Sequence, residues 1–145
     1  MRDLDVEKTT LILNRILEYE LAGVVRYTHY AFMVTGPYRQ PIVTFLRAQA
    51  QESLTHADQA GELITGLEAH PSLEVAQIEE SHKHDLRAIL EESLHHEQTA
   101  LDLYKDLLDV VRDASVYLEE YTRGQIGAEE QHVIELRKML RDYGN

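Results

Sequence analysis

Four glutamates and two histidines interrupt what are otherwise apolar helical stripes: Glu20, Glu52, His56, Glu97, Glu129 and His132. Glu20 falls between Leu17 and Val24, and Glu97 between Leu94 and Leu101. Glu52 and His56 fall between Phe45 and Ala60, and Glu129 and His132 between Leu118 and Leu136. Taken singly, each reads equally well as a boundary residue beside a solvated face. Taken together in an interior they demand a shared counter-charge, because a buried carboxylate without a partner costs several kcal/mol. Carboxylate oxygen and imidazole nitrogen suit iron or manganese and tolerate zinc. Four carboxylates carry the charge that two divalent ions neutralise.

Spacing strengthens the set. Glu20 lies 16 residues before Gly36 and Glu52 lies 16 after it; Glu97 lies 16 before Asp113 and Glu129 lies 16 after it. If turns centre at Gly36 and Asp113, each acid sits about 24 Å from its own turn at the helical rise. Each hairpin then carries two glutamates at one level. One Glu from each of two helices plus a Glu and a His from each of the other two is the inventory of a carboxylate-bridged dimetal site in a helical bundle.

The elements that must hold these residues are helices. Apolar residues recur at intervals of three and four, and strand-like alternation is missing. The pattern predicts helices over 5–34, 41–69, 80–112 and 115–143, in an all-α four-helix bundle of two antiparallel hairpins within a single domain. The longer joint over 70–80 suits a crossover between the hairpins. A chain of 145 residues is long enough for one sizeable core.

Composition narrows the functions. Asp and Glu number 26 against 14 Lys and Arg, a formal net charge of -12, which disfavours nucleic acid and anionic membranes and favours cations. The chain has no cysteine, so thiolate metal sites, disulfides and a thiol nucleophile are excluded. No apolar run approaches the length of a membrane span, and the first residues lack a secretory signal's apolar core. The expectation is a soluble, cytoplasmic protein.

Specific stretches resemble the ferritin-like superfamily, and its bacterioferritin branch most closely. They are Leu13-Asn-Arg-Ile-Leu-Glu-Tyr-Glu-Leu-Ala in the first helix, Glu97-Gln-Thr-Ala-Leu-Asp-Leu in the third and Glu129-Glu-Gln-His132 in the fourth. His56-Ala-Asp and Glu68-Ala-His-Pro-Ser-Leu resemble the end of the second helix and the start of the crossover. The resemblance implies a ferritin-like fold and two iron ions held by Glu20, Glu52, His56, Glu97, Glu129 and His132. By the family pattern Glu20 and Glu129 are terminal ligands, and Glu52 and Glu97 bridge. It implies ferroxidase activity, with Fe(II) oxidised by O2 or H2O2, and an electron-donating tyrosine at Tyr27. A rubrerythrin-like peroxidase with a separate electron donor and a non-catalytic metal-binding bundle are the alternatives.

The sequence departs from that pattern in three places. Ser53 stands three before His56, where the family has Glu, and the acid is one residue earlier at Glu52. Either Glu52 serves as ligand, with a π-bulge adjusting the helix, or the site lacks one bridging carboxylate. Leu54 replaces the methionine that holds haem in bacterioferritins, so haem is not expected. Only 13 residues follow His132, too few for the fifth helix that helps close a cage. A homo-oligomer is expected, with a dimer favoured over the closed cage.

Other residues carry weaker expectations. Tyr104, seven after Glu97, reads as a core tyrosine bonding a ligand carboxylate. Gln49 and Gln125 are candidate outer partners of the site. His29 is placed on the face opposite Glu20. His82, His84, His95 and His96 are assigned to exposed faces, with a surface metal site among them the lesser reading. Gly124 and Gly127 are read as relieving crowding near Tyr121 or permitting a bulge.

Overall fold

The computed structural model describes residues 3–141. It consists of α1 (Val6–Met33), α2 (Arg39–Gly66), α3 (Leu86–Val111) and α4 (Val116–Leu140), with no strand among the described residues. Three starts are fixed by caps: the side chains of Asp5, Asp85 and Ser115 accept from the backbone N–H of Lys8, Ala88 and Leu118. α2 begins two residues earlier than Pro41 suggested, because proline in a first helical turn lacks only an N–H that has no intrahelical acceptor. The expected end of α4 at 143, and Tyr143 with it, lies outside the described residues.

Left-handed residues end the helices and turn the chain. Gly36 has φ 98° between α1 and α2, and Asp113 has φ 63° between α3 and α4. Asp113 is steadied by its N–H donating to Glu119. Glu68, at φ 65°, closes α2, where the N–H of Ala69 reaches back to the carbonyl of Ile64.

α3 starts at Leu86, not at 80, since the carboxylate of Glu80 and hydroxyl of Ser81 bind nearby backbone N–H groups and divert residues 80–84 into a turn. The connection from α2 to α3 is therefore long and non-helical, and it runs along the outside of α1. Asn14 holds its start through His70 and Ser72, and the N–H of Ala76 donates to the carbonyl of Glu18.

Two apolar clusters close the bundle above and below a polar middle. One gathers Leu13, Ile16, Ile64, Leu107 and Leu118; the other gathers Tyr27, Tyr30, Leu46 and Ile89. α1 packs on α2 and α3, and α3 on α4, whereas no Cα of α2 comes within 8 Å of one in α4. Side chains alone span that last seam. No described helix is long and apolar enough to cross a membrane.

Candidate metal centre

Between the two clusters, Glu20, His56, Glu97 and Glu129 are buried, with His132 and Glu52 nearer the rim. Glu20 comes from α1, Glu52 and His56 from α2, Glu97 from α3, Glu129 and His132 from α4. His56 Nδ1 lies 2.7 Å from Glu20 Oε2 and 3.6 Å from Glu129 Oε1. His132 Nδ1 lies 3.6 Å from Glu97 Oε2 and 3.5 Å from Glu129 Oε2. Two three-residue groups result, Glu20–His56–Glu129 and Glu97–His132–Glu129, each with its donor atoms within 4.8 Å of one another. Glu129 belongs to both and offers a different oxygen to each histidine.

The family pattern made Glu97 a bridge and Glu129 terminal; here Glu97 faces one group and Glu129 faces two. Glu52 stands apart from both. Its oxygens lie 3.6 Å from His56 Nε2 and 3.0 Å from His132 Nε2, behind the rings. Its side chain is 38% exposed, at the open seam between α2 and α4. α2 is regular through this stretch, without the expected π-bulge.

Ser53 packs closely against α1, where a Cβ on Gly23 would lie 2.8 Å from its Oγ.

The tyrosines cross the site diagonally. Tyr27, on the helix of Glu20, donates to Glu97; Tyr104, on the helix of Glu97, lies 3.5 Å from Glu20. Burial, together with the neighbouring carboxylates, pushes both phenols well above their ordinary range, so both stay protonated. Burial likewise raises Glu20 and Glu97. Glu129 is held down despite its burial, by the Glu97 carboxyl and the His132 and His56 rings that face it. Burial alone would make His56 and His132 neutral. Their carboxylate neighbours prevail, raising them to about 10 and about 11.

The donor set suits two dications. It is oxygen and imidazole only, and two of its buried atoms, Glu129 Oε2 and His132 Nδ1, lack a hydrogen-bond partner. Both belong to one of the three-residue groups. A cation between these residues would satisfy them and take the place of the protons on the rings.

Some expectations fail. His96 is not on an exposed face: it is 2% exposed, stacked on Tyr19 at 4.3 Å between ring centroids and edge-on to Tyr27 at 5.6 Å. The Leu94–Leu101 stripe misplaced it. Those leucines are only partly buried, while the small Ser93 and Ala100 lie on the buried face of α3. Gly23 was the missing signal: its absent Cβ would lie 2.8 Å from His96 Nε2. Gln125 bonds Gln59 across the α2–α4 seam rather than a ligand. Gly124 and Gly127 relieve no crowding, since a Cβ at either meets nothing within 4 Å, and α4 has no bulge there. Leu54, at the position of the haem methionine, is 45% exposed.

Residues 10–144 match the family model described as a ferritin-like domain, and the chain belongs to that family. Its fold is similar to that of a ferritin-like diiron-carboxylate protein from Bacillus anthracis str. Ames, at 25% identity and TM-score 0.89, covering 97% of this chain and 99% of that one. A bacterioferritin from Rhodobacter capsulatus, described with a metal-free dinuclear site and a haem iron, is 25% identical with TM-score 0.84, over 94% of this chain and 86% of that one. A dodecameric thioferritin from Bacteroides fragilis, related to bacterioferritin, is 21% identical with TM-score 0.86, over 96% and 88% respectively. A comparison with curated proteins gives no match.

Proposed function

We propose that this chain is a ferroxidase-type di-iron protein, with Fe(II) as substrate and O2 or H2O2 as oxidant. The observation that carries the reading is Glu129, one carboxylate serving two His–Glu groups on opposite sides of the bundle interior. Two ferrous ions give up one electron each. Dioxygen takes both with two protons to become hydrogen peroxide, or hydrogen peroxide takes both with two protons to become two waters.

The chain's own residues do the rest. The open α2–α4 seam, rimmed by Glu52, admits the cation, and the net charge of -12 concentrates it nearby. Glu20 and Glu97 close opposite ends of the pair, and His56 and His132 each hold one ion through Nδ1. Glu52 accepts from the Nε2–H of His132 and lies 3.6 Å from Nε2 of His56, so it orients the rings with Nδ1 inward, the role of an outer carboxylate behind a ligating histidine. Tyr27 supplies an electron when needed, and Glu97 is placed to take its hydroxyl proton. The apolar clusters limit water at the site. A cytoplasmic homo-oligomer is the setting that goes with this reading.

The test is anaerobic Fe(II) titration followed by oxygen, on wild type and Glu52→Ala. The wild type should take two irons per chain and oxidise them. The variant should keep that stoichiometry and bind about 10–100-fold more weakly, as expected for losing an outer partner. Loss of one iron would make Glu52 a ligand. An unchanged variant would remove it from the site. A wild type that binds a single ion and does not consume oxygen would overturn the ferroxidase reading.

A further inference from the structure

We propose that His29, Glu80 and His84 form a second metal site, for one divalent ion of the zinc type, on the outer face of α1. It is independent of the interior centre. His29 lies nine residues beyond Glu20 in α1, which places it half a turn around and about 13 Å along the helix. Glu80 and His84 come from the crossover, so the donors belong to two separate parts of the chain. Their donor atoms lie within 4.8 Å of one another. His29 Nε2 is 2.9 Å from Glu80 Oε2, and His84 Nε2 is 3.5 Å from Glu80 Oε1. Tetrahedral zinc with bonds of about 2.0–2.1 Å sets neighbouring donors about 3.3 Å apart, and each histidine nitrogen lies near that distance from its own oxygen of Glu80.

A second observation points to a ligand. Both Nε2 atoms are shielded from solvent although the side chains are 43% and 31% exposed, and the polar atoms beside them are the two oxygens of Glu80. An ordinary surface histidine turns its nitrogens to water; these turn theirs inward, toward one carboxylate.

The turn is built to hold that geometry before any ion arrives. Glu80 Oε1 accepts from the N–H of His82, which adopts φ 58° and folds His84 back over Glu80. Ser81 donates to Glu92 on α3, and the N–H of Lys83 donates to Ser81. Upstream, the Ala76–Glu18 bond ties the crossover to α1. Arg26 and Lys83 line the same hollow and oppose a cation, but Glu79, Glu80 and Glu92 outnumber them. Arg26 is also engaged, donating to Tyr30. Three protein ligands leave a fourth position open, and the His82 ring stands next to His84 at 6.4 Å.

The test uses Co(II) as a spectroscopic probe for zinc, added to the metal-free full-length protein. The wild type should bind one Co(II) more than His84→Ala or Glu80→Gln. That extra ion should give a tetrahedral visible band and move the His29 and His84 ring signals in NMR. Each variant should weaken this ion at least tenfold and leave the ions of the interior centre unchanged. His84 lies in a non-helical connection, so its replacement should preserve the helices, checked by circular dichroism. His29→Ala, on α1, is the second variant and should lose the same ion. Equal stoichiometry and affinity in wild type and variants would overturn the proposal. So would His29 and His84 signals that stay fixed at saturation, or an extra ion that appears only at millimolar Co(II). The interior centre's failure to load would leave these readouts intact, so the two readings fail separately.

Discussion

Three histidines lie in the middle of this bundle, and they divide sharply. His56 and His132 face glutamates; His96, next in sequence to Glu97, lies between the rings of Tyr19 and Tyr27. Burial penalises a charged ring in all three. Carboxylate neighbours override it for the first two, raising them to about 10 and about 11, whereas His96 is driven down to about 4 by its burial. Partners, not depth, decide whether a buried imidazole is a charged ligand in waiting or a neutral packing element. His96 has both nitrogens unpartnered, the pull of Glu97 does not offset its burial, and it joins neither three-residue group, so it belongs to the wall of the site.

Breaking the shared carboxylate should have the largest effect. Glu129→Gln keeps shape and volume but removes the charge that both histidines face. Metal affinity at the centre should fall by more than the ~100-fold typical of losing an outer partner, for both ions together. Anaerobic Co(II) or Fe(II) titration measures it. A loss confined to one ion would mean that Glu129 serves only one group.

The histidines should also pull stability in opposite directions with pH. For metal-free protein, the raised values of His56 and His132 contribute stability present in full below about pH 6.5. It is lost as pH rises toward 10 and 11. The depressed value of His96 does the reverse: its contribution is present above about pH 6.5 and lost as pH falls toward 4. At about 1.4 kcal/mol per pKa unit, each amounts to several kcal/mol. Urea unfolding from pH 4 to 10 should therefore give a maximum near neutrality, and ring NMR should assign each limb. A His96 that protonates near pH 6.5 would erase the contrast.

The close fit at His96 should cost less to disturb. Gly23→Ala places a Cβ 2.8 Å from His96 Nε2 and 2.8 Å from Ser53 Oγ. Overpacking of this kind costs about 1–3 kcal/mol, from which alanine's better helix propensity recovers up to about 1 kcal/mol. The net loss should be read in urea midpoints and should shrink in the Gly23→Ala/Ser53→Ala double variant. Equal losses in both backgrounds would put the strain elsewhere.

Much of this was legible in the sequence, for a definite reason. The four helices and the level of the six polar residues follow from helical period and turn spacing, both properties of the chain alone. What was hidden depends on rotation and on neighbours. Helix α3 is turned so that Ser93, His96 and Ala100 face inward while Leu94 and Leu101 sit at the edge, and hydrophobicity ranks those positions the other way. The start of α3 was hidden because Glu80 and Ser81 spend their side chains on local backbone N–H groups. The displacement of Glu52 was visible, but the close packing of Ser53 on Gly23 is a contact between two helices that spacing does not encode. Roles within the site were least legible. That Glu129 faces two groups while Glu52 stands behind both rings is set by side-chain direction, which spacing does not encode.

The smallest effect is the most discriminating for His96. Two shields keep water from it: the helices around it and the ring of Tyr19, stacked at an interplanar angle of 14°. Tyr19→Leu removes only the second. The stability loss should be about 1 kcal/mol, the scale of an aromatic pair beyond its area. The His96 midpoint should climb from about 4 by roughly one unit, as water reaches the exposed face of the ring. His56 and His132 should keep their midpoints, because their protons are held by carboxylates that this substitution does not touch. If all three shift together, the centre and its aromatic wall share one electrostatic environment, and the division between ligand and wall fails. If His96 alone moves, its low value is set by shielding at its own ring, and the two charged histidines owe theirs to the carboxylates they face.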